Sequence, residues 1–525
     1  MQSHSVDPSQ PQGLGDQTAR GFAWLGVQSA VEKIVSGLGV VALAWVLGPE
    51  PFKLVGLTYT ITVFATLVQS AGLREVLQHR QRRLTTWSTP GFWLSLASGL
   101  FSTGLVVATA PLAARFYGEP KIIPLLLVSS IVLPLSSLAI VPEAIIRSRM
   151  QFRLIAVVGS LTIVGQLVLS VGFALMGLGA MSIILPQPLL ALLRLLVYWQ
   201  VAQPLIRHGP RPRRWKYLLA DSSAALLGSV ALTLTYQGGQ IVLGRLHPAT
   251  AAAGIYYFSV VLADQSVRVL VNNLAHVLLP AISKIQTDRA RLWPAFLNAT
   301  GLMLLVGIPM LVLQAILAAP LIRLVFSDQW LQAIGVFSAL SLAAIGRLAF
   351  GPSEAMLLAR GHFRTYLALT VVFSTTFLGA VVVAAKYAPR AEAAVWAAIA
   401  GGVCLFAMGP FALRLALGDS ELGWREVGAL YRWPVVCTVA ACSPAAVMVF
   451  VMPPTTRGDI LTIVLGSAMA VVIYVGLIRR VAPAAWNQLA IRLSAIAPTR
   501  LRRAVLLMLP LMPKRDAPAS SRLKH

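Results

Sequence analysis

Apolar runs long enough to cross a bilayer recur from one end of this chain to the other. They cover residues 21–47, 54–77, 91–113, 122–146, 154–176, 181–203, 217–243, 254–280, 294–318, 331–358, 366–388, 392–413, 434–452 and 459–478. A helix needs roughly 20 apolar residues to span the hydrocarbon core. Only 12% of the residues are charged and the mean hydropathy is +0.77, whereas a soluble chain carries about 25% charged residues. Inside a bilayer a backbone must satisfy its own polar groups, which admits helices and closed barrels only. Runs of this length select helices, so the reading is an all-α membrane protein with about 14 transmembrane helices. The first run is too long for a cleaved signal peptide and lacks a small-residue cleavage site behind a short apolar core. Residues 1–20 read as a polar, disordered cytoplasmic tail.

The chain carries 43 Lys and Arg against 18 Asp and Glu, a formal net charge of +25. Where that charge sits decides what it means. With the N-terminus placed in the cytoplasm, 31 basic residues fall on the cytoplasmic side, 8 on the outer side and 4 deep inside the predicted helices. This satisfies the positive-inside rule with both termini cytoplasmic, and sets the basic loops against an anionic leaflet of membrane lipids. Nucleic-acid binding would need a basic folded domain with stacking aromatics. No segment between the runs is long enough for one.

Two sparse patterns occur twice. Glu143-Ala144 is followed after seven residues by Phe152-Arg153, and Glu354-Ala355 after seven by Phe363-Arg364, an offset of 211 residues. Val46-Leu47-Gly48 leads to Gly56-Leu57-Thr58-Tyr59, as Val242-Leu243-Gly244 leads to Gly254-Ile255-Tyr256-Tyr257. Matches in one order at similar offsets point to a duplicated bundle. Six helices per half is an even number, so the halves share one orientation about a pseudo-two-fold axis along the membrane normal. The predicted organisation is the tail over 1–20, an N-terminal six-helix lobe over 21–210, a C-terminal six-helix lobe over 211–415, helices 13 and 14 over 416–478, and a basic cytoplasmic tail over 479–525.

Motifs for catalysis are missing. Cys404, Cys437 and Cys442 fall in predicted helices, which disfavours disulfides. There is no CxxC, HExxH or His–Cys cluster, and His276, deep in an apolar run, reads more readily as a packed or water-lined side chain than as a ligand. No GxxxxGK[ST] phosphate loop is present, so this chain is not expected to hydrolyse ATP. A membrane glycosyltransferase, polymerase or ligase ordinarily holds its acid–base residues in a sizeable extramembrane loop, and the outer loops here are short. The expectation is a transporter, not an enzyme, with no metal and no bound cofactor.

Several local patterns then carry a resemblance. They are Leu47-Gly48-Pro49-Glu50-Pro51-Phe52 with Gly56-Leu57; Ala113-Ala114-Arg115-Phe116-Tyr117-Gly118-Glu119-Pro120; and Val141-Pro142-Glu143-Ala144 running into Arg149-Met150-Gln151-Phe152-Arg153. The longest set is Gly244-Arg245, Gly254-Ile255-Tyr256 and Leu279-Pro280-Ala281-Ile282-Ser283-Lys284-Ile285-Gln286. In this order they resemble Wzx-type flippases of lipid-linked oligosaccharides, in the multidrug/oligosaccharidyl-lipid/polysaccharide superfamily. The resemblance covers residues 20 to about 365, and the last third matches in hydropathy only. It implies two six-helix lobes with a terminal pair, and movement of a lipid-pyrophosphate-linked oligosaccharide across the bacterial inner membrane for exopolysaccharide, capsule or O-antigen assembly. One departure stands out: where such proteins often carry an Asn or Asp pair on the seventh helix, this chain has Gln237-Gly238-Gly239-Gln240. The alternatives are a cation or drug antiporter of the same superfamily, a flippase for the peptidoglycan lipid precursor, and an enzyme or scaffold of envelope polysaccharide assembly.

Charges inside the bilayer carry the mechanistic expectation. Each costs about 2.5 kcal/mol or more at the centre, so it should face a partner or a watery cavity. The cations are Lys33, Arg194, Arg268 and Arg347, on predicted helices 1, 6, 8 and 10; the acids are Glu32, Asp264 and Glu354. Asp264 and Arg268 share a helix face and read either as a self-neutralising pair or as cavity groups. Arg194 and Arg347 have no acid within four positions on their own helices, and are expected to face the central cleft or to snorkel. The cations come from both halves, as a shared cavity requires, and form the expected cargo-binding set. Arg offers bidentate donors to phosphate oxygens. The sugar path is expected to be lined by Gln28, Gln69, Gln166, Gln237, Gln240, Asn272 and Asn273, the alternative being helix–helix hydrogen bonds.

Glu143 and Glu354 occupy matching places and are followed by Arg147, Arg149, Arg360 and Arg364, which suggests either an inter-lobe gate or local salt bridges. Proton or sodium coupling would fall to Glu32, Asp264 or Glu354. Trp486, Leu489, Leu493 and Ile496 mark a surface helix in the C-terminal tail, or a docking site for a polysaccharide polymerase or chain-length regulator.

Overall fold

Paired backbone groups dominate the structure, as lipid demands. The computed structural model describes residues 11–70, 84–149, 151–204, 223–267, 289–418 and 423–481, with the isolated residues 206, 209 and 483. Among the described residues every regular element is helical. Counting collinear pieces as one, they are α1 (Pro11–Val46), α2 (Pro49–Ser70), α3 (Leu84–Tyr117), α4 (Ile122–Ser148), α5 (Phe152–Leu175), α6 (Met181–Ala202) and α7 (Ser223–Leu246). Then follow α8 (Ala252–Val267), α9 (Arg289–Ile316), α10 (Ala333–Ala359), α11 (Phe363–Tyr387), α12 (Ala393–Ala416), α13 (Trp424–Val451) and α14 (Thr456–Val481). Eleven helices are long and apolar enough over their described residues to cross a bilayer. The other three expected runs coincide with α1, α7 and α8.

The one clear correction to the element boundaries is at the N-terminus. Helix α1 begins at Pro11, not near residue 21, so half of the expected disordered tail is helical. Hydropathy marks where lipid contact starts, whereas helical hydrogen bonding runs on into the polar segment. Residues 1–10 lie outside the described residues, as does nearly all of the predicted basic tail with its surface helix.

Many hydroxyl groups inside the helices bond to the preceding turn. Thr58 donates to the Leu54 carbonyl, Thr60 to Gly56 and Thr62 to Thr58, at 2.8, 2.9 and 3.2 Å. Helix α6 is interrupted at Leu185, immediately before Pro186, whose ring nitrogen has no hydrogen to donate. Helices α4 and α10 are interrupted at Ile131 and Ala344.

The duplication is visible in the packing. Helix α10 begins and ends 211 residues after α4, and α11 begins 211 residues after α5. Equivalent helices also make equivalent contacts: α1 packs on α5 as α7 does on α11, α4 on α6 as α10 on α12, and α3 on α4 as α9 on α10. The halves meet where α2 packs on α7 and α8. Helices α13 and α14 pack together, with α13 also on α9. A short helix, Ala318–Val325, ties α14 to the second half through Arg323, whose Nη2 donates to Asp459 Oδ1 at 2.7 Å. Those hydrogen bonds raise the Arg323 pKa further, so the guanidinium stays charged.

Close packing of α10 on α12 depends on glycine. A Cβ added to Gly346 would lie 2.8 Å from Phe406 Cα, and one added to Gly409 would lie 2.9 Å from Gly346 Cα. The two backbones touch, as at other small-residue helix crossings in membranes. Gly346→Val is expected to cost about 3 kcal/mol or more, seen as loss of monodisperse protein in detergent. Gly37→Val, whose added Cβ meets nothing within 4 Å, should leave the yield unchanged.

Candidate functional site

Two chambers open within the bundle. The first, of about 560 Å³, is walled by α1, α2, α4, α5, α6 and α8. The second, of about 540 Å³, is walled by α2, α4, α6, α7, α8, α10, α11 and α12. Tyr59, Val132, Gln187, Tyr257 and Val261 line both, so the chambers are two parts of one cleft. The Gln187 amide donates to the Tyr59 hydroxyl, and the Tyr59 and Tyr257 rings stand 6.1 Å apart between centroids. A polar, aromatic partition therefore divides the cleft.

The first chamber holds Arg194 and Glu32. Arg194 Nη2 sits 3.4 Å from Ser136 Oγ, and its Nε is buried without a hydrogen-bond partner. Among the described residues this guanidinium has no carboxylate partner. Gln166 lines the same chamber but is engaged, donating to Ser170 Oγ and the Ile183 carbonyl at 3.0 and 2.9 Å.

Charge in the second chamber is internally compensated. Arg347 on α10 pairs with Asp264 on α8, and its guanidinium lies 4.7 Å from the Tyr236 ring centroid. The expectation that Arg347 has no nearby acid looked only along its own helix; the partner comes from the neighbouring one. Asp264 is thus engaged by Arg347, while Arg268, its expected i, i+4 partner, lies outside the described residues together with Asn272, Asn273 and His276.

Of the expected cations, Arg194 lines the first chamber and Arg347 the second. Lys33 lines neither chamber, and its neighbour Glu32 lines the first. Gln237 and Gln240 line the second chamber. Gln69 instead donates to the Leu133 carbonyl and to Ser137 Oγ, both at 2.9 Å, and Gln28 packs on Gly159. The possible gating acids make local contacts: Arg147 Nη2 donates to Glu143 Oε1 at 2.9 Å, and the Tyr366 hydroxyl to Glu354 Oε1 at 2.8 Å. Arg149 donates to the carbonyls of Val201 and Ala202 at 3.2 Å, and Arg360 stacks on Trp293 at 5.2 Å.

The cleft is sealed at the end that carries the α1–α2 and α7–α8 turns. Lys53, which the charge count places in a solvated loop, is only 1% exposed. Its ammonium contacts Glu119 at 2.5 Å and Glu50 at 3.7 Å in its own half, and donates to the Pro248 carbonyl of the other half. Trp330 Nε1 donates across the same seam to the Ala44 carbonyl at 3.0 Å, and Trp45 to that of Val325. Around them Trp330 packs on Phe52 at 5.1 Å and Phe258 at 4.0 Å, and Phe258 on Phe326 at 5.0 Å. Such aromatic pairs each add about 0.5–1.5 kcal/mol beyond their buried area. Gly254 makes the approach possible: a Cβ there would lie 3.0 Å from the Lys53 backbone nitrogen.

Two lobes around a divided cleft, closed at one end, define a transporter fold. The structure superposes on lipid II flippase MurJ in an inward closed conformation with a TM-score of 0.64 at 14% identity, covering 87% of this chain and 98% of that one. It also matches an inward-facing MATE multidrug resistance transporter of the MOP superfamily, at TM-score 0.55 and 15% identity over 75% and 99% of the two chains. The chain belongs to the polysaccharide biosynthesis protein family, whose model matches residues 42–335. It is similar to the succinoglycan biosynthesis transport protein ExoT of Rhizobium meliloti, 28% identical over 69% of this chain and 73% of that protein. The lipopolysaccharide biosynthesis protein WzxC of Escherichia coli is 22% identical over 71% and 76%.

Proposed function

We propose that this transporter moves a lipid-pyrophosphate-linked oligosaccharide unit across the bacterial cytoplasmic membrane by alternating access, for exopolysaccharide, capsule or O-antigen assembly. The observation that carries this reading is Arg194, a cleft-facing guanidinium with a buried, unpartnered nitrogen. A diphosphate that sheds water during crossing needs such a donor. The lipid tail stays in the bilayer, and the glycan takes the second chamber, where Thr62, Thr66, Thr235 and Gln237 offer polar groups and the Arg347–Asp264 pair adds little net charge.

With both termini in the cytoplasm, the sealed end faces outward and the structure represents an outer-closed state. Opening it separates Lys53 from Pro248 and Trp330 from Ala44. Coupling to a proton or sodium gradient falls to Glu32, the lining acid without an ion-pair partner among the described residues. The C-terminal tail is the place where a polymerase or chain-length regulator would dock.

The test is a deletion strain. It is expected to keep lipid-linked oligosaccharide on the cytoplasmic leaflet and to lose surface glycan, with resistance to cationic dyes unchanged. Intact surface glycan together with dye hypersensitivity would instead indicate a drug antiporter.

A further inference from the structure

Gln240 lies on α7 where it packs against α2 of the other half, and it is 2% exposed. Among the described residues neither its Oε1 nor its Nε2 has a hydrogen-bond partner. The amide instead abuts Gly56, where an added Cβ would collide with it and with Tyr257, 2.9 Å from that residue's Cβ. A buried amide with neither atom satisfied destabilises the state that buries it. The burial exists because the halves are pressed together in the outer-closed state, and separating α2 from α7 would hydrate the amide.

We propose that Gln240 sets the balance of the transport cycle by destabilising the outer-closed state, offsetting the Lys53 and Trp330 contacts so that the seal does not lock. This rests on the alternating-access reading. Removing the amide while keeping the volume should therefore close the transporter. Crowding the same spot from Gly56 should open it.

The experiment places spin labels at Lys121→Cys and Asp328→Cys, exposed positions on the two halves near the sealed end, with Cys404, Cys437 and Cys442 replaced by Ser. Double electron–electron resonance in proteoliposomes gives the ratio of open to closed distances. Gln240→Leu and Gln240→Met are each expected to lower that ratio about tenfold, and Gly56→Ala to raise it. An unchanged or raised ratio in both Gln240 variants, with the wild type showing two distances, overturns the proposal alone. A wild type that holds a single distance throughout, with and without lipid-linked oligosaccharide, overturns alternating access and this proposal with it.

Discussion

Lys53→Met is expected to unseal the closed end of the cleft. The substitution removes an ammonium that meets Glu119, Glu50 and the Pro248 carbonyl at once, and leaves Glu119 without its cation. Breaking a buried pair by deleting one partner typically costs about 3–5 kcal/mol. Glu119 is 20% exposed, so water recovers part of that loss and the lower end of the range applies. A shift of about 3 kcal/mol changes an open-to-closed ratio by more than about a hundredfold. The change can be read from labelling of a cysteine at Ala44, which is 1% exposed in the closed state. Ala44→Cys should be protected from an impermeant maleimide in the parent and labelled rapidly in the Lys53→Met variant. Equal protection in both would mean that the aromatic packing around Trp330 closes the seam by itself.

Arg194→Ala should give the largest loss of transport among the cleft residues. A charged hydrogen bond contributes about 1.5–3 kcal/mol, so export should fall about tenfold to a hundredfold with membrane insertion intact. Arg194→Lys should recover only part, because a point charge does not reproduce the planar fork. Arg347→Ala should behave differently. It removes the guanidinium that pairs with Asp264 beside the second chamber, and should lower thermal stability as well as export. The double variant Arg347→Met with Asp264→Leu should restore stability, since apolar replacement of a buried pair is often neutral or stabilising. The quantities to compare are export of polysaccharide and thermal unfolding in detergent. Wild-type export by Arg194→Ala would remove the diphosphate site.

Much of the fold was legible because lipid leaves few choices. Long apolar runs can only be helices here, and the Glu143-Ala144 and Glu354-Ala355 patterns mark helices α4 and α10, which share a 211-residue offset. The site was less legible because its chemistry is made between helices. Nothing near Arg347 in sequence shows that Asp264, 83 residues earlier, faces it. Lys53 lies between two apolar runs and reads as an outer-loop residue, yet Pro248 and Glu119 enclose it from elsewhere in the chain. Of the residues that divide the cleft, Gln187 carries no motif, and the repeats that end in Tyr59 and Tyr257 do not show that the two rings meet; Tyr in an apolar run reads first as an interface anchor. Lys33 lines neither of the two chambers, and depth in a helix says nothing about which side a residue faces.

The most direct measurement is translocation by the purified protein. Proteoliposomes would carry a lipid-pyrophosphate oligosaccharide, and outer-leaflet exposure would be followed with an impermeant glycosidase. The account predicts protein-dependent exposure of the glycan, reduced at least about tenfold by Arg194→Ala, with no transport of a cationic dye in the same vesicles. Dye movement without glycan exposure would contradict it.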